Sequence, residues 1–131
     1  MDDVNRNELE ALRILWARGE QKPGEIEAEF SWPIDNGTLR SVLRVLMEKD
    51  LVTRRRDGRA FYYTARKSRE GMLAGLTRQL AHVFSGGSTA GLIAQLIKTE
   101  NLSPEELAEL RRLARGESKA TSDSQRRKGA K

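Results

Sequence analysis

Residues 38–64 read TLRSVLRVLMEKDLVTRRRDGRAFYYT, and this stretch decides the fold. Leu39, Val42, Leu43, Leu46 and Met47 recur at the i, i+3, i+4, i+7, i+8 spacing of one buried helix face. Thr38, Arg40, Ser41 and Arg44 then lie on the opposite face, a donor-rich surface of the kind that meets base edges and phosphates. The helix runs into two strand-like segments joined at Asp57-Gly58, a dipeptide that favours a tight two-residue turn because both positions there need positive φ. Arg54, Arg55 and Arg56 precede that turn and Arg59 follows it. An amphipathic helix beside a basic hairpin is what a winged helix-turn-helix needs to hold duplex DNA.

Upstream, Asn7 followed by Glu10 has the spacing of an N-cap with its reciprocal acid. The helix after it carries Leu9, Leu12, Leu15 and Trp16 on one side and stops near Gly19. A second short helix is expected to open around Pro23, a residue tolerated in a first turn, and to bury Ile26 and Phe30. Ser31, Trp32 and Pro33 break it, since the residue before proline is pushed out of the α region. Asp35 or Asn36 then caps the third helix. Three short helices and a hairpin make the winged-helix order, with the third helix in the reading position.

Downstream the pattern is helical throughout. Leu73, Leu76, Leu80, Val83 and Phe84 mark one face of a long helix ending at Ser85, Gly86 and Gly87. Leu92, Ile93, Leu96 and Ile97 mark a fifth helix. Ser103, Pro104 and Glu106 open a sixth, which continues through Leu107, Leu110 and Leu113 to Gly116. Three helices of this size cannot bury all their apolar faces alone. Pairing with a second copy of the chain solves that, and twofold symmetry matches an inverted-repeat DNA site. The expected dimer residues are Leu73, Leu76, Leu80, Leu92, Ile93, Leu96, Ile97, Leu107 and Leu110. The chain thus divides into a DNA-binding domain over 1–64, a helical dimerisation domain over 65–116 and a disordered basic tail over 117–131. The fold class is mainly α with a small β-hairpin wing.

The charge distribution agrees. The net charge is +5, and residues 52–69 hold seven Arg or Lys against one Asp. The tail from Glu117 is also basic, so the remainder is net negative and the positive field sits on wing and tail, as docking on phosphates requires. There are no cysteines, which removes disulfides, thiolate metal sites and cysteine nucleophiles. No apolar run reaches the eighteen or so residues of a membrane span and the first residues lack a signal-peptide pattern, so the expectation is a cytoplasmic protein without cofactor or metal. No nucleophile with a base and no convergent acid pair points to an enzyme.

This layout resembles the penicillinase-repressor family, to which copper-responsive repressors are related. The resemblance rests on Leu9-Glu10 through Leu15-Trp16, on residues 38–46, and on Asp57-Gly58-Arg59-Ala60-Phe61-Tyr62-Tyr63, and it covers roughly residues 7–115. It implies a homodimeric repressor that binds inverted repeats in promoters, with Thr38, Arg40, Ser41 and Arg44 in the major groove and Arg56 and Arg59 on the wing. In the penicillin-responsive branch a regulatory protease ends repression by cutting an Asn-Phe bond in the dimerising helices; the matching place here reads Gln95-Leu96. In the copper branch C-terminal cysteines bind metal, and this chain has none.

Three readings of the same residues remain open. The first is that repressor, released by proteolysis or another signal. The second is a winged-helix dimer that a small-molecule effector lifts from DNA, in the manner of MarR-like proteins. The third is a winged-helix module for protein contacts, against which the arginines at the wing tip speak. Strand alternation sends Arg54 and Arg56 to one side and Arg55 to the other, so all three cannot serve DNA alike. The aromatics Phe61, Tyr62 and Tyr63 are expected to close the core beneath the wing in part, and the lone His82 to be structural.

Overall fold

The structure, a computed structural model, describes residues 4–116; the basic tail expected from residue 117 lies outside the described residues. Helix α1 (Arg6–Arg18) opens on a capping box in which Asn5 Oδ1 accepts the Glu8 N–H at 2.9 Å and the Glu8 carboxylate accepts the Asn5 N–H at 3.1 Å. This corrects the expected Asn7 and Glu10 box. The sequence NRNELE contains the Asn-x-x-Glu spacing twice, and tertiary partners claim the second copy. Asn7 Oδ1 accepts the Trp32 indole N–H at 2.8 Å, while Glu10 takes the Arg13 guanidinium at 2.9 and 2.7 Å and the Ser31 N–H at 2.8 Å. The buried face is Ala11, Leu12, Ile14 and Leu15, and Leu9, expected on that face, is exposed.

Helix α2 (Pro23–Glu29) starts with proline at its first turn and buries Ile26, leaving Phe30 half-buried. Helix α3 (Asn36–Glu48) is capped by Asp35, whose carboxylate accepts the Thr38 N–H at 2.8 Å. Its buried stripe is Leu39, Val42, Leu43 and Leu46, as the periodicity requires. Strands β1 (Val52–Asp57) and β2 (Ala60–Ala65) pair antiparallel from Val52↔Ala65 to Asp57↔Ala60. The two-residue turn is therefore Gly58-Arg59, one residue later than expected. Gly58 has φ 66° and Arg59 is not in the positive region, the pattern of a glycine-first hairpin turn. Gln21 adds a bridge to the hairpin, exchanging N–H to O bonds with Tyr63 at 3.0 and 2.8 Å.

These elements close one core, with Leu12, Ile14, Ile26, Leu39, Leu43, Leu46 and Leu51 essentially inaccessible to solvent. Tyr63 is buried in it and Phe61 packs on its edge, whereas Tyr62 lies on the other face of the hairpin.

Helix α4 (Arg69–Ser85) begins inside the core, because Met72 is buried there and Leu76 packs against it. The N-terminal core thus draws on residues beyond 64. Helix α5 (Thr89–Glu100) follows a turn in which Gly86 is left-handed and Ser88 caps the next helix, and α5 lies at 78° to α4. Helix α6 (Pro104–Ala114) opens on the reciprocal Ser103 and Glu106 box. Outside the head core this half buries only Ala81 and Leu92 among the described residues, and α6 buries none. No single helix in the described residues is long and apolar enough to cross a membrane.

Candidate nucleic-acid interface

The buried stripe of α3 fixes what its other side presents. Leu39, Val42, Leu43 and Leu46 point inward, so Thr38, Arg40, Ser41 and Arg44 all emerge exposed. Their local partners set the starting conformation of each. The Arg40 Nε–H donates to Asn36 Oδ1 at 2.9 Å, one turn toward the helix start. Arg44 faces Glu48 at 3.9 Å, a long and exposed pair that a phosphate oxygen can displace at little cost. The Thr38 hydroxyl donates to Asp35 at 3.2 Å, so Thr38 is tied into the cap. Hydrogen bonds from Thr38 hold the Asp35 carboxyl below the usual aspartate range and keep it charged. Asn36, exposed on the first turn, shares a side with Arg40 and was not anticipated as part of this face; the i, i+4 spacing was its signal.

The hairpin sorts its arginines by strand alternation. Arg54 and Arg56 share the face of Val52 and Tyr63. Arg54 lies over the Phe61 ring at 4.0 Å and donates to the Tyr63 hydroxyl at 3.1 Å, so its guanidinium is held flat against the wing. The Arg56 Nε–H donates to the Gly58 carbonyl at 2.9 Å, which fixes it against the turn. Arg59 stands exposed at the turn itself. Arg55 is different. It meets Glu20 through two hydrogen bonds at 2.7 and 2.8 Å, approaches Asp57 at 3.8 Å, and lies over Tyr62 at 4.8 Å. Its hydrogen bonds raise the guanidinium pKa and hold the Glu20 carboxyl below its usual range. Arg55 therefore braces the wing against the loop after α1; alternation had set it on the other face from Arg54 and Arg56, and Glu20 is the partner it finds there.

The structure thus leaves four side chains exposed on α3 and three arginines, Arg54, Arg56 and Arg59, exposed on the hairpin that follows it. The expected dimer residues fall into three states. Leu73, Leu80, Ile93, Leu96 and Leu110 are exposed; Leu76, Ile97 and Leu107 are half-buried. Leu92 is buried, spending its apolar surface within the α4–α5 hairpin. Gln95 and Leu96, the expected cleavage place, sit in the middle of α5; the Gln95 amide donates to the Phe84 carbonyl at 2.8 Å, and Leu96 is exposed.

The model of the penicillinase repressor family matches residues 4–115. The penicillinase repressor of Staphylococcus aureus is 20% identical over 111 residues, spanning 83% of this chain and 88% of that protein. Among solved structures, a mutant of MarR from E. coli aligns with a TM-score of 0.51 at 21% identity, covering 87% of this chain and 77% of that one. The YusO protein of Bacillus subtilis aligns with a TM-score of 0.51 at 18% identity, covering 89% and 76%. At such identities these two structures speak for the winged-helix fold alone.

Proposed function

The chain belongs to the penicillinase-repressor family of winged-helix transcriptional regulators, and on that premise we propose that it represses promoters by binding inverted-repeat operators as a homodimer. It is a regulatory DNA-binding protein rather than an enzyme. The observation that carries the operator reading is the exposed Thr38, Arg40, Ser41 and Arg44 face, continued by Arg54, Arg56 and Arg59 on the hairpin. On this reading α3 enters the major groove, where Arg40 and Ser41 read base edges, while Arg44 and the wing hold phosphates.

The dimer reading is supported by the exposed apolar residues of α4, α5 and α6, which a second copy would cover. Two heads held at a fixed spacing then match two half-sites. Repression ends, in this proposal, when that seam is broken, by cleavage within α5 around Gln95 and Leu96 or by another signal acting on it. Cleavage there must first open a helical turn and the Gln95 bond to Phe84.

A second reading has its own observation. Leu9, Trp16, Met72, Leu73 and Leu76, together with Arg69 and Glu70, line a mostly apolar hollow of about 350 Å³ between α1 and α4. A small apolar effector lodged there would alter the angle between head and helical half and lift the dimer from DNA with its chain intact.

Titrating binding to duplex DNA with salt tests the main proposal. Affinity should fall steeply, by a slope of about 0.9 per phosphate contact on logarithmic axes. Absence of binding to any duplex at low salt would refute it.

A further inference from the structure

We propose that Arg6, held over the ring of Trp32, is a further phosphate anchor that grips the DNA backbone beside the starting end of the reading helix. The proposal rests on the DNA-binding reading above and adds a contact outside the α3 face and the wing. Arg6 is the first residue of α1, and its guanidinium carbon lies 3.7 Å from the centre of the Trp32 ring. That ring is itself fixed. Its indole N–H donates to Asn7 at 2.8 Å, and Phe30 meets it edge-on at 5.8 Å and 89°. Trp32 is half-buried in the turn between α2 and α3, so the surface it offers is rigid.

A guanidinium stacked by its plane keeps its N–H donors on the rim, free for an oxygen ligand. Arg6 is exposed, and no carboxylate partner occupies it among the described residues. Stacking also removes much of the rotamer freedom that an arginine otherwise loses on binding.

Position points to the ligand. Asn5, Arg6, Asn7 and Trp32 line one surface hollow, and Asn7, Trp32, Asp35 and Thr38 line the next. Asn7 and Trp32 are the walls they share, which sets Arg6 beside the start of α3 where, on the proposed reading, Thr38 faces the groove. The start of α3 cannot take that phosphate itself. Asp35 already occupies the Thr38 N–H and hydroxyl, and its charge would repel an anion. Arg6 is the neighbouring cation. The reading helix is then flanked by positive charge at both ends, Arg6 at its start and the hairpin arginines after its finish.

The test compares salt dependence in variants of the full-length chain. Arg6→Ala should lower the slope of log affinity against log salt by about 0.9. It should do so equally on operator and unrelated duplex, with an unchanged thermal midpoint. Trp32→Ala should weaken binding in the same sequence-independent way, and Arg6→Ala should add little in that background, since the platform would already be gone. Arg6→Lys should keep most of the slope, because a lysine still meets phosphate as a point charge. An unchanged slope for Arg6→Ala, alongside a reduced one for Arg59→Ala, would overturn this contact and leave the DNA-binding reading standing. Failure of the unaltered protein to bind any duplex at low salt would overturn both.

Discussion

The head and the helical half use similar apolar residues to opposite ends. In the head, Leu12, Ile26, Leu39, Leu43 and Leu46 show no accessible surface. In the helical half, Leu73 and Val83 are 64% and 65% exposed, Phe84 59% and Leu113 53%. The head is a finished fold, closed by α1, α2, α3, the hairpin and the start of α4, which contributes Met72 and Leu76. The helical half has sound local structure, with serine caps on α4, α5 and α6, yet among the described residues most of its apolar stripes are left exposed, Ala81 and Leu92 aside. Capping and periodicity make helices; burial at roughly 25 cal/mol per Å² makes a core, and that term is small here. One region closes a core of its own, and on the proposed reading the other is half of an assembly.

The sharpest way to break this contrast is to cut one apolar residue in each half. Leu43→Ala should cost the head about 2–5 kcal/mol, through lost burial and an unfilled cavity, read by denaturant unfolding. Leu96→Asp should leave the head folded and its near-ultraviolet dichroism intact, while abolishing self-association and much of the operator affinity. If Leu96→Asp unfolds the head as Leu43→Ala does, the two regions are not separate in the sense argued.

A smaller effect is expected at the brace between α1 and the turn before α3. Hydrogen bonds from Arg13 and then Ser31 hold the Glu10 carboxyl at about 2, against an ordinary value of 4.5. A depressed carboxylate pKa contributes stability above the unfolded value, and that contribution fades as pH falls from about 4.5 toward 2. Glu10→Gln should therefore lower stability near neutrality by about 1–3 kcal/mol, the scale of hydrogen bonds to a charged group. It should also flatten the loss of stability between those pH values, as acid titration of the unfolding midpoint would show. The least change is expected in the wing. Arg59→Ala should lower the salt slope by about 0.9 with little effect on stability. Arg55→Ala should leave the slope nearly unaltered, because Arg55 is committed to Glu20. Equal slopes for the two variants would remove the distinction drawn between a DNA contact and a brace.

Much of this was legible in the sequence, and the misreadings share a cause. The α3 stripe, the two-stranded wing, the end of α4 and the start of α6 follow from spacing and caps, which act within a few residues. Sites where local signals tie were decided from afar. The choice between Asn5 with Glu8 and Asn7 with Glu10 turned on Trp32 and Ser31, more than twenty residues downstream. The hairpin turn fell on Gly58-Arg59 because pairing set Tyr63 opposite Arg54 and against Gln21. On the candidate interface, the face of α3 could be read directly from periodicity. The brace of Arg55 on Glu20 spans thirty-five residues, and the Arg6 stack on Trp32 joins two helices' flanks; no local pattern announces either.

Sedimentation equilibrium of the full-length chain, over a wide range of concentrations and without DNA, tests the contrast most directly. A mass of twice one chain at micromolar concentration is expected, shifting to a single chain in Leu96→Asp with the head still folded. A single-chain mass for the unaltered protein at every concentration would show that the exposed stripes of α4, α5 and α6 are not half of a dimer core.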